Sequence, residues 1–196
     1  MVKIAFTLPG GIRLEDTIAF KCYKKLSCIP YIVSYGASIA HVRNTAVNEN
    51  DSHKIFQKDF SFDKILFIDY DIEFTGEDVS KIFSYDHWVI GGAYKCSEYC
   101  YTAGPWMGIP GNVSHAGINT TGIHKVDWIG TGFLCIDRKV FETIQYPWFE
   151  GILIETADEA VETSEDIGLM LKLRKYNIPA FCDFDVVLKH HKVGLL

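Results

Sequence analysis

Apolar positions recur along the chain in two rhythms. Strand-like runs occupy 2–8, 29–35, 63–69, 87–92, 126–136 and 180–189, and helix-like segments occupy 13–26, 37–50, 76–84, 138–144 and 164–176. Val79, Ile82 and Phe83 fall at i, i+3, i+4, as do Ile167, Met170 and Leu171, so each set predicts one apolar helix face. Strands alternating with helices imply an α/β fold, a mixed sheet with helices on both faces. No internal repeat or low-complexity tract interrupts it, and one domain over 1–196 is the simplest organisation.

Two segments break the rhythm. Residues 95–125 hold Gly104, Pro105, Gly108, Pro110, Gly111, Gly117 and Gly122 among Tyr99, Tyr101 and Trp106, and 150–166 carry seven acids. Both read as lids or substrate-binding loops, or as plain surface insertions.

Composition narrows the classes. At 48% hydrophobic and 14% aromatic the 196 residues can bury a substantial core, which argues against disorder. A net charge of −6 without a dense Lys/Arg tract argues against wrapping nucleic acid. Met1 leads straight into a strand-like run, and no 18-residue apolar stretch occurs, so a soluble, cytoplasmic protein without a membrane span is expected. The six cysteines, 22, 28, 96, 100, 135 and 182, are then expected to be reduced thiols. Only Cys96 and Cys100 look paired by spacing. A zinc knuckle there needs two more ligands, and His115 and His124 are loosely placed for it. The sequons at Asn112 and Asn119 mean little in an unsecreted chain.

The chemistry concentrates in five places. Phe67-Ile68-Asp69-Tyr70-Asp71-Ile72-Glu73-Phe74 ends an apolar run in three acids spaced two apart. In an extended chain they share one side, where two carboxylates repel by roughly 2–3 kcal/mol at an effective dielectric near 20. A hard divalent cation would offset this, and Asp-x-Asp at a strand exit suits one bridging to phosphates. Arg43 falls inside the apolar stripe of Ile39, Val42, Ala46 and Val47, so it wants either an internal acid or a phosphate. Gly130-Thr131-Gly132 permits close backbone approach, to a ligand or to a neighbouring strand. Thr163 and Asp166 fit a capping box, or Asp166 serves as a general base. Of His190 and His191, which an extended chain points to opposite faces, at most one reaches a metal.

Together these residues resemble the GT-A glycosyltransferases, particularly family-2-like catalytic domains of viral and bacterial origin, over nearly the whole chain. Ile4–Pro9 is similar to the first strand and nucleotide-facing turn, Val42-Arg43-Asn44 to the Arg-Asn helix, and Asp69-Tyr70-Asp71 to the metal motif. Gly130-Thr131-Gly132 resembles the turn bordering the acceptor site, Ser164-Glu165-Asp166 the pair that supplies the base, and His191-Lys192-Val193-Gly194 the His-x-x-Gly that completes the metal site. The size and opening run also resemble the N-terminal domains of large chlorella-virus glycosyltransferases of capsid glycans, which would make the chain one domain of a longer protein. The resemblance implies a GT-A mixed sheet, similar to a Rossmann fold, and transfer of a sugar from a UDP-sugar to a hydroxyl of a glycan or glycoprotein. It further implies Mn²⁺ or Mg²⁺ on Asp69, Asp71 and His191, the nucleotide bordered by Thr7, Pro9 and Arg43, and Asp166 as the base of an inverting reaction. Trp128, Gly130, Thr131, Gly132 and Glu165 would line the sugars. Tyr70 stands where the family often has a small residue, and no separate acceptor domain is evident.

Three rivals share parts of this pattern. A haloacid-dehalogenase-like phosphatase places Asp-x-Asp on its first strand, whereas here the motif ends the third. A sugar-phosphate nucleotidyltransferase needs a glycine-rich basic loop, of which Leu8–Arg13 is a faint echo. A module that binds nucleotide sugar or calcium without turnover would differ from the enzyme only in releasing no UDP.

Overall fold

In the computed structural model, which describes residues 1–26, 29–107, 111–155 and 160–191, period-two alternation sorts the core strands into two faces. The strands are β1 (Val2–Pro9), β2 (Tyr31–Gly36), β3 (Lys64–Asp69), β4 (Ile72–Glu73), β5 (Val89–Tyr94), β6 (Ala103–Gly104), β7 (Ile123–Val126), β8 (Trp128–Ile129), β9 (Phe133–Asp137), β10 (Leu153–Glu155), β11 (Ala160–Glu162) and β12 (Ala180–His190). The helices are α1 (Ile18–Tyr23), α2 (Ile39–Val47), α3 (Lys54–Gln57), α4 (Gly76–Ser84), α5 (Arg138–Thr143) and α6 (Glu165–Lys175). Ala5, Ile65 and Phe67 pack with residues of α2, α5 and α6, while Ile4, Phe6, Leu66 and Ile68 pack with α1 and α4. This is an α/β fold with helices on both faces of one sheet.

The central sheet runs β2-β1-β3-β9-β5-β12, with β4 and β7 both paired to β12. Strands β1, β2 and β3 are parallel, β9 is antiparallel to both its neighbours, and β5 and β12 are again parallel. The sheet is mixed but mostly parallel. Consequently β1, β2, β3, β5 and β12 all point their carboxyl ends to one edge, the edge at which open α/β sheets bind ligands.

Local chemistry adjusts several expected boundaries. The helix expected over 13–26 is split into a 3₁₀ turn at Leu14–Asp16 and α1, because Thr17 caps the break: its hydroxyl donates to the Leu14 carbonyl (2.7 Å) and accepts from the Phe20 amide (3.1 Å). The strand expected over 126–136 is divided at Gly130-Thr131-Gly132, β8 leaving to pair with β6. The described residues of the 95–125 segment carry β6, most of β7 and isolated bridges. In the acidic segment, β10 and β11 pair antiparallel. No described helix is long and apolar enough to cross a membrane.

One ion-pair knot fastens α2 to the sheet. Glu49, just past α2, receives Lys3 of β1, Lys54 of α3 and the Ser61 hydroxyl. Burial alone would raise its pKa, but these three donors outweigh it and bring the carboxyl down to about 2. A carboxyl depressed in the folded state stabilises above its unfolded value, and that stability is lost as pH falls toward the folded one. Glu49→Gln is therefore expected to cost about 3 kcal/mol at pH 7 and less than half of that at pH 3. Urea unfolding of both proteins across this range checks it, and a difference independent of pH would contradict it.

Candidate active site

Thr7 and Asp69 are partners in the parallel register of β1 and β3, so they lie side by side on the Ala5–Phe67 face. The Thr7 hydroxyl donates to Asp69 Oδ1 at 2.7 Å. Above them α2 buries Val42, Ala46 and Val47 against the sheet, which carries Arg43, 3% exposed, into the same layer. One guanidinium nitrogen, Nη2, donates to Asp69 Oδ1 and Oδ2 at 2.9 and 3.1 Å, and Nη1 donates to Glu165. Of the two anions the sequence leaves open for Arg43, the internal acids are the ones it meets. Burial alone would lower the Arg43 pKa, but Asp69 and Glu165 outweigh it and hold the guanidinium charged.

Two further contacts bring Glu165 to this point. Asn44, next to Arg43, clasps the 148–149 backbone: its amide donates to the Phe149 carbonyl (2.7 Å) and its oxygen accepts from the Trp148 and Phe149 amides (3.0 and 3.1 Å). The chain continues to Glu150, whose carbonyl lies 1.8 Å from where a Cβ on Gly168 would stand. Only glycine lets α6 pass that close, and its first turn then delivers Glu165 and Asp166.

The chain turns directly after Asp69, so the premise of three acids on one extended face fails. Asp71 lies in the turn and β4 then pairs with the end of β12 in the register Glu73↔Lys189, Ile72↔His190. His190 Nε2 sits 3.1 Å from Asp71 Oδ2, whereas the His191 ring meets Glu73 at 2.5 Å. The adjacent histidines divide between two faces as an extended chain requires, and it is His190, not the expected His191, that faces the motif. Lys192 to Gly194 of the His-x-x-Gly lie outside the described residues. Burial, and then Asp69 nearby, raise the Asp71 carboxyl above its ordinary range, although His190 pulls it down.

Tyr94, the last residue of β5, was not marked by the sequence beyond being an aromatic at the end of an apolar run. Its hydroxyl accepts from the Gly132 amide at 3.1 Å and its ring stands edge-on to His190 at 5.3 Å. A Cβ on Gly130 or Gly132 would come within 2.3 or 2.9 Å of that hydroxyl, and on Gly132 within 3.1 Å of Asp69 Oδ2. The close approach that the two glycines permit is thus to Tyr94 and Asp69. Burial, then Asp69 and Asp166, keep the Tyr94 phenol protonated. Asp166 is close enough for its charge to act on both Tyr94 and Arg43.

The capping box expected between Thr163 and Asp166 is absent. Thr163 instead bonds both ways with Ile152, at 2.9 and 3.0 Å, and Asp166 Oδ1 accepts from the Ile167 amide at 2.8 Å. Trp128, expected to meet a sugar, is buried, and its indole N–H donates to the Ser114 carbonyl at 2.6 Å, anchoring the insertion. Pro9 ends β1 opposite Gly36. A cavity of about 480 Å³ lies at the other end of α6, among Trp106, Asp127, Met170 and Arg174.

As a metal site the residues fit in part. Asp71 and His190 present an oxygen and a nitrogen to one point, a pair that can hold Mn²⁺ or Mg²⁺ with waters and phosphate oxygens completing the shell. Both Asp69 oxygens are engaged by Arg43. Among the described residues, buried polar side-chain atoms without a hydrogen-bond partner include Arg43 Nε, Thr131 Oγ1 and His190 Nδ1, on residues of this site, and Asn48 Oδ1 and Arg138 Nε, outside it. Buried polar atoms are normally paired, so the three on this site's residues are compatible with a bound group.

No family model and no curated protein matches the chain. Among solved structures it is similar to A197 from STIV, a viral protein, at 21% identity and a TM-score of 0.59, over 97% of this chain and 85% of that one. At that identity the likeness shows the fold alone: a mixed α/β sheet flanked by helices.

Proposed function

We propose that the chain is a metal-dependent glycosyltransferase of the GT-A type that moves a sugar from a UDP-sugar to a glycan hydroxyl. One observation carries the reading: Thr7, Asp69, Tyr94 and His190, near or at the carboxyl ends of four parallel strands, meet Arg43, the Gly130–Gly132 turn and the α6 carboxylates at a single sheet edge. A half-buried carboxylate cluster of this kind is costly for stability alone and suits a site that receives a metal and an anion.

In this reading Asp71 and His190 hold Mn²⁺ or Mg²⁺, which when bound offsets the charge gathering on the departing diphosphate. Arg43 acts through its neighbours, fixing Asp69 and Glu165 in place, and Asp69 with Thr7 and Pro9 borders the nucleotide. Asp166 accepts the proton of the acceptor hydroxyl as that oxygen bonds to the anomeric carbon and the bond to UDP breaks, which inverts the anomeric centre. The acceptor is a glycan or glycoprotein, approached from the 95–125 insertion.

Calorimetric titration of UDP in the presence of Mn²⁺ tests the metal assignment. His190→Ala is expected to weaken binding about 10–100-fold, and His191→Ala to change it by less than about twofold. The opposite order, or binding indifferent to Mn²⁺, would contradict the assignment.

A further inference from the structure

A second cluster of ligand-type side chains lies in the insertion between β5 and β7. The turn after Tyr94 is closed by the Lys95↔Tyr101 bridge and by the Cys96 amide, which donates to the Cys100 carbonyl at 3.1 Å. Beside it runs the segment around His115: Cys100 bridges Gly117, and the Tyr101 amide donates to the Ala116 carbonyl at 2.9 Å. The backbone therefore sets His115 against the turn. Its Nδ1 lies 3.4 Å from Cys96 Sγ, the two sulfurs are 2.8 Å apart, and one ligand atom from each of the three residues lies within 4.8 Å of the others. The ring of Trp128, edge-on at 5.0 Å, fixes the imidazole, and the 2.9 Å contact of Nδ1 with the Tyr101 carbonyl belongs to the metal-free ring and gives way when Nδ1 takes a metal. His124, the other histidine in this region, points away and bonds the Thr121 carbonyl.

We propose that Cys96, Cys100 and His115 form a zinc site that braces this insertion. Two sulfurs and an imidazole without a carboxylate select a thiophilic ion over Mg²⁺ or Ca²⁺. Tetrahedral zinc, with Zn–S about 2.3 Å and Zn–N about 2.0 Å, sets S–S at about 3.8 Å and S–N at about 3.5 Å. The sulfur–nitrogen separation already suits it, and the sulfurs need only part by about 1 Å, within reach of side-chain rotation. Three protein ligands, partly open to solvent, leave the fourth position to water. The brace acts on the proposed active site through Thr102, whose amide and hydroxyl both donate to the Tyr94 carbonyl, at 2.9 and 3.0 Å.

Co²⁺ titration of the full chain, reduced with a phosphine and kept free of oxygen, tests this directly. One equivalent is expected to give thiolate-to-cobalt charge-transfer and tetrahedral ligand-field bands, and Zn²⁺ is expected to bleach them. Cys100→Ser is expected to lower the charge-transfer intensity at least about twofold, and His115→Ala, at an exposed position, to weaken zinc binding at least about tenfold, each with an unchanged circular dichroism spectrum. Asp71→Asn is expected to leave the bands intact, which separates this site from the proposed Mn²⁺ site. Absence of the bands in the wild-type protein would overturn the proposal, as would their loss in Asp71→Asn or their undiminished intensity in Cys100→Ser. A Cys96–Cys100 disulfide that persists under phosphine and excludes zinc would overturn it too.

Discussion

Asp166→Asn is expected to lower sugar transfer by about 10²–10⁴-fold, the range that a positioned general base supplies. The substitution keeps the oxygen that accepts from the Ile167 amide, so the first turn of α6 and the thermal unfolding of the protein are expected to stay as they are. What is removed is the negative charge of Asp166 and with it the proton-accepting capacity. Binding of UDP with Mn²⁺ is expected to be unchanged, because Asp71 and His190 are untouched. Transfer at near wild-type rate by a folded Asp166→Asn protein would show that another group takes the proton.

Arg43→Met is expected to cost about 3–5 kcal/mol of stability, the usual penalty for breaking a buried ion pair from one side. Its guanidinium is the shared partner of Asp69 and Glu165, whose side chains are only 25% and 16% exposed. Without it two carboxylates face each other with the Thr7 hydroxyl as the remaining donor to Asp69. For a chain of this length that corresponds to a melting temperature lower by roughly 10 °C. Arg43→Lys is expected to rescue little, since one ammonium cannot reproduce the two-nitrogen fork. Calorimetric melting checks both variants. A loss below about 1 kcal/mol for Arg43→Met would mean that the two acids rearrange freely and that Arg43 does not position them.

The sheet was legible because its strands are apolar on both faces and its helices carry clear i, i+3, i+4 patterns. Runs such as 63–69 and 180–189 therefore read as strands without knowledge of their neighbours. Arg43 was legible for the same reason in reverse: a charge inside an apolar stripe must have a buried partner. Its partners were not, because Asp69 lies 26 and Glu165 122 residues away, and only the β1–β3 register and the glycine contact of α6 bring them together. The Asp-x-Asp segment reads as extended but is not, since nothing in Tyr70-Asp71 announces the turn that sends Asp71 to His190 and Glu73 to His191. Likewise Gly130-Thr131-Gly132 signalled a close approach but not its object, the Tyr94 hydroxyl, which is fixed by tertiary packing. The Cys96-Cys100 spacing was visible, while His115 joins it only through cross-chain bonds inside the insertion.

The most direct test of glycosyl transfer is to incubate the purified chain with a set of UDP- and GDP-sugars, with and without Mn²⁺, and to measure nucleoside diphosphate release. Slow hydrolysis of at least one UDP-sugar, dependent on Mn²⁺ and lost in Asp71→Asn, is the predicted result. Release from no donor under either condition, by protein that still binds UDP and Mn²⁺, would identify a binding module and contradict the enzyme.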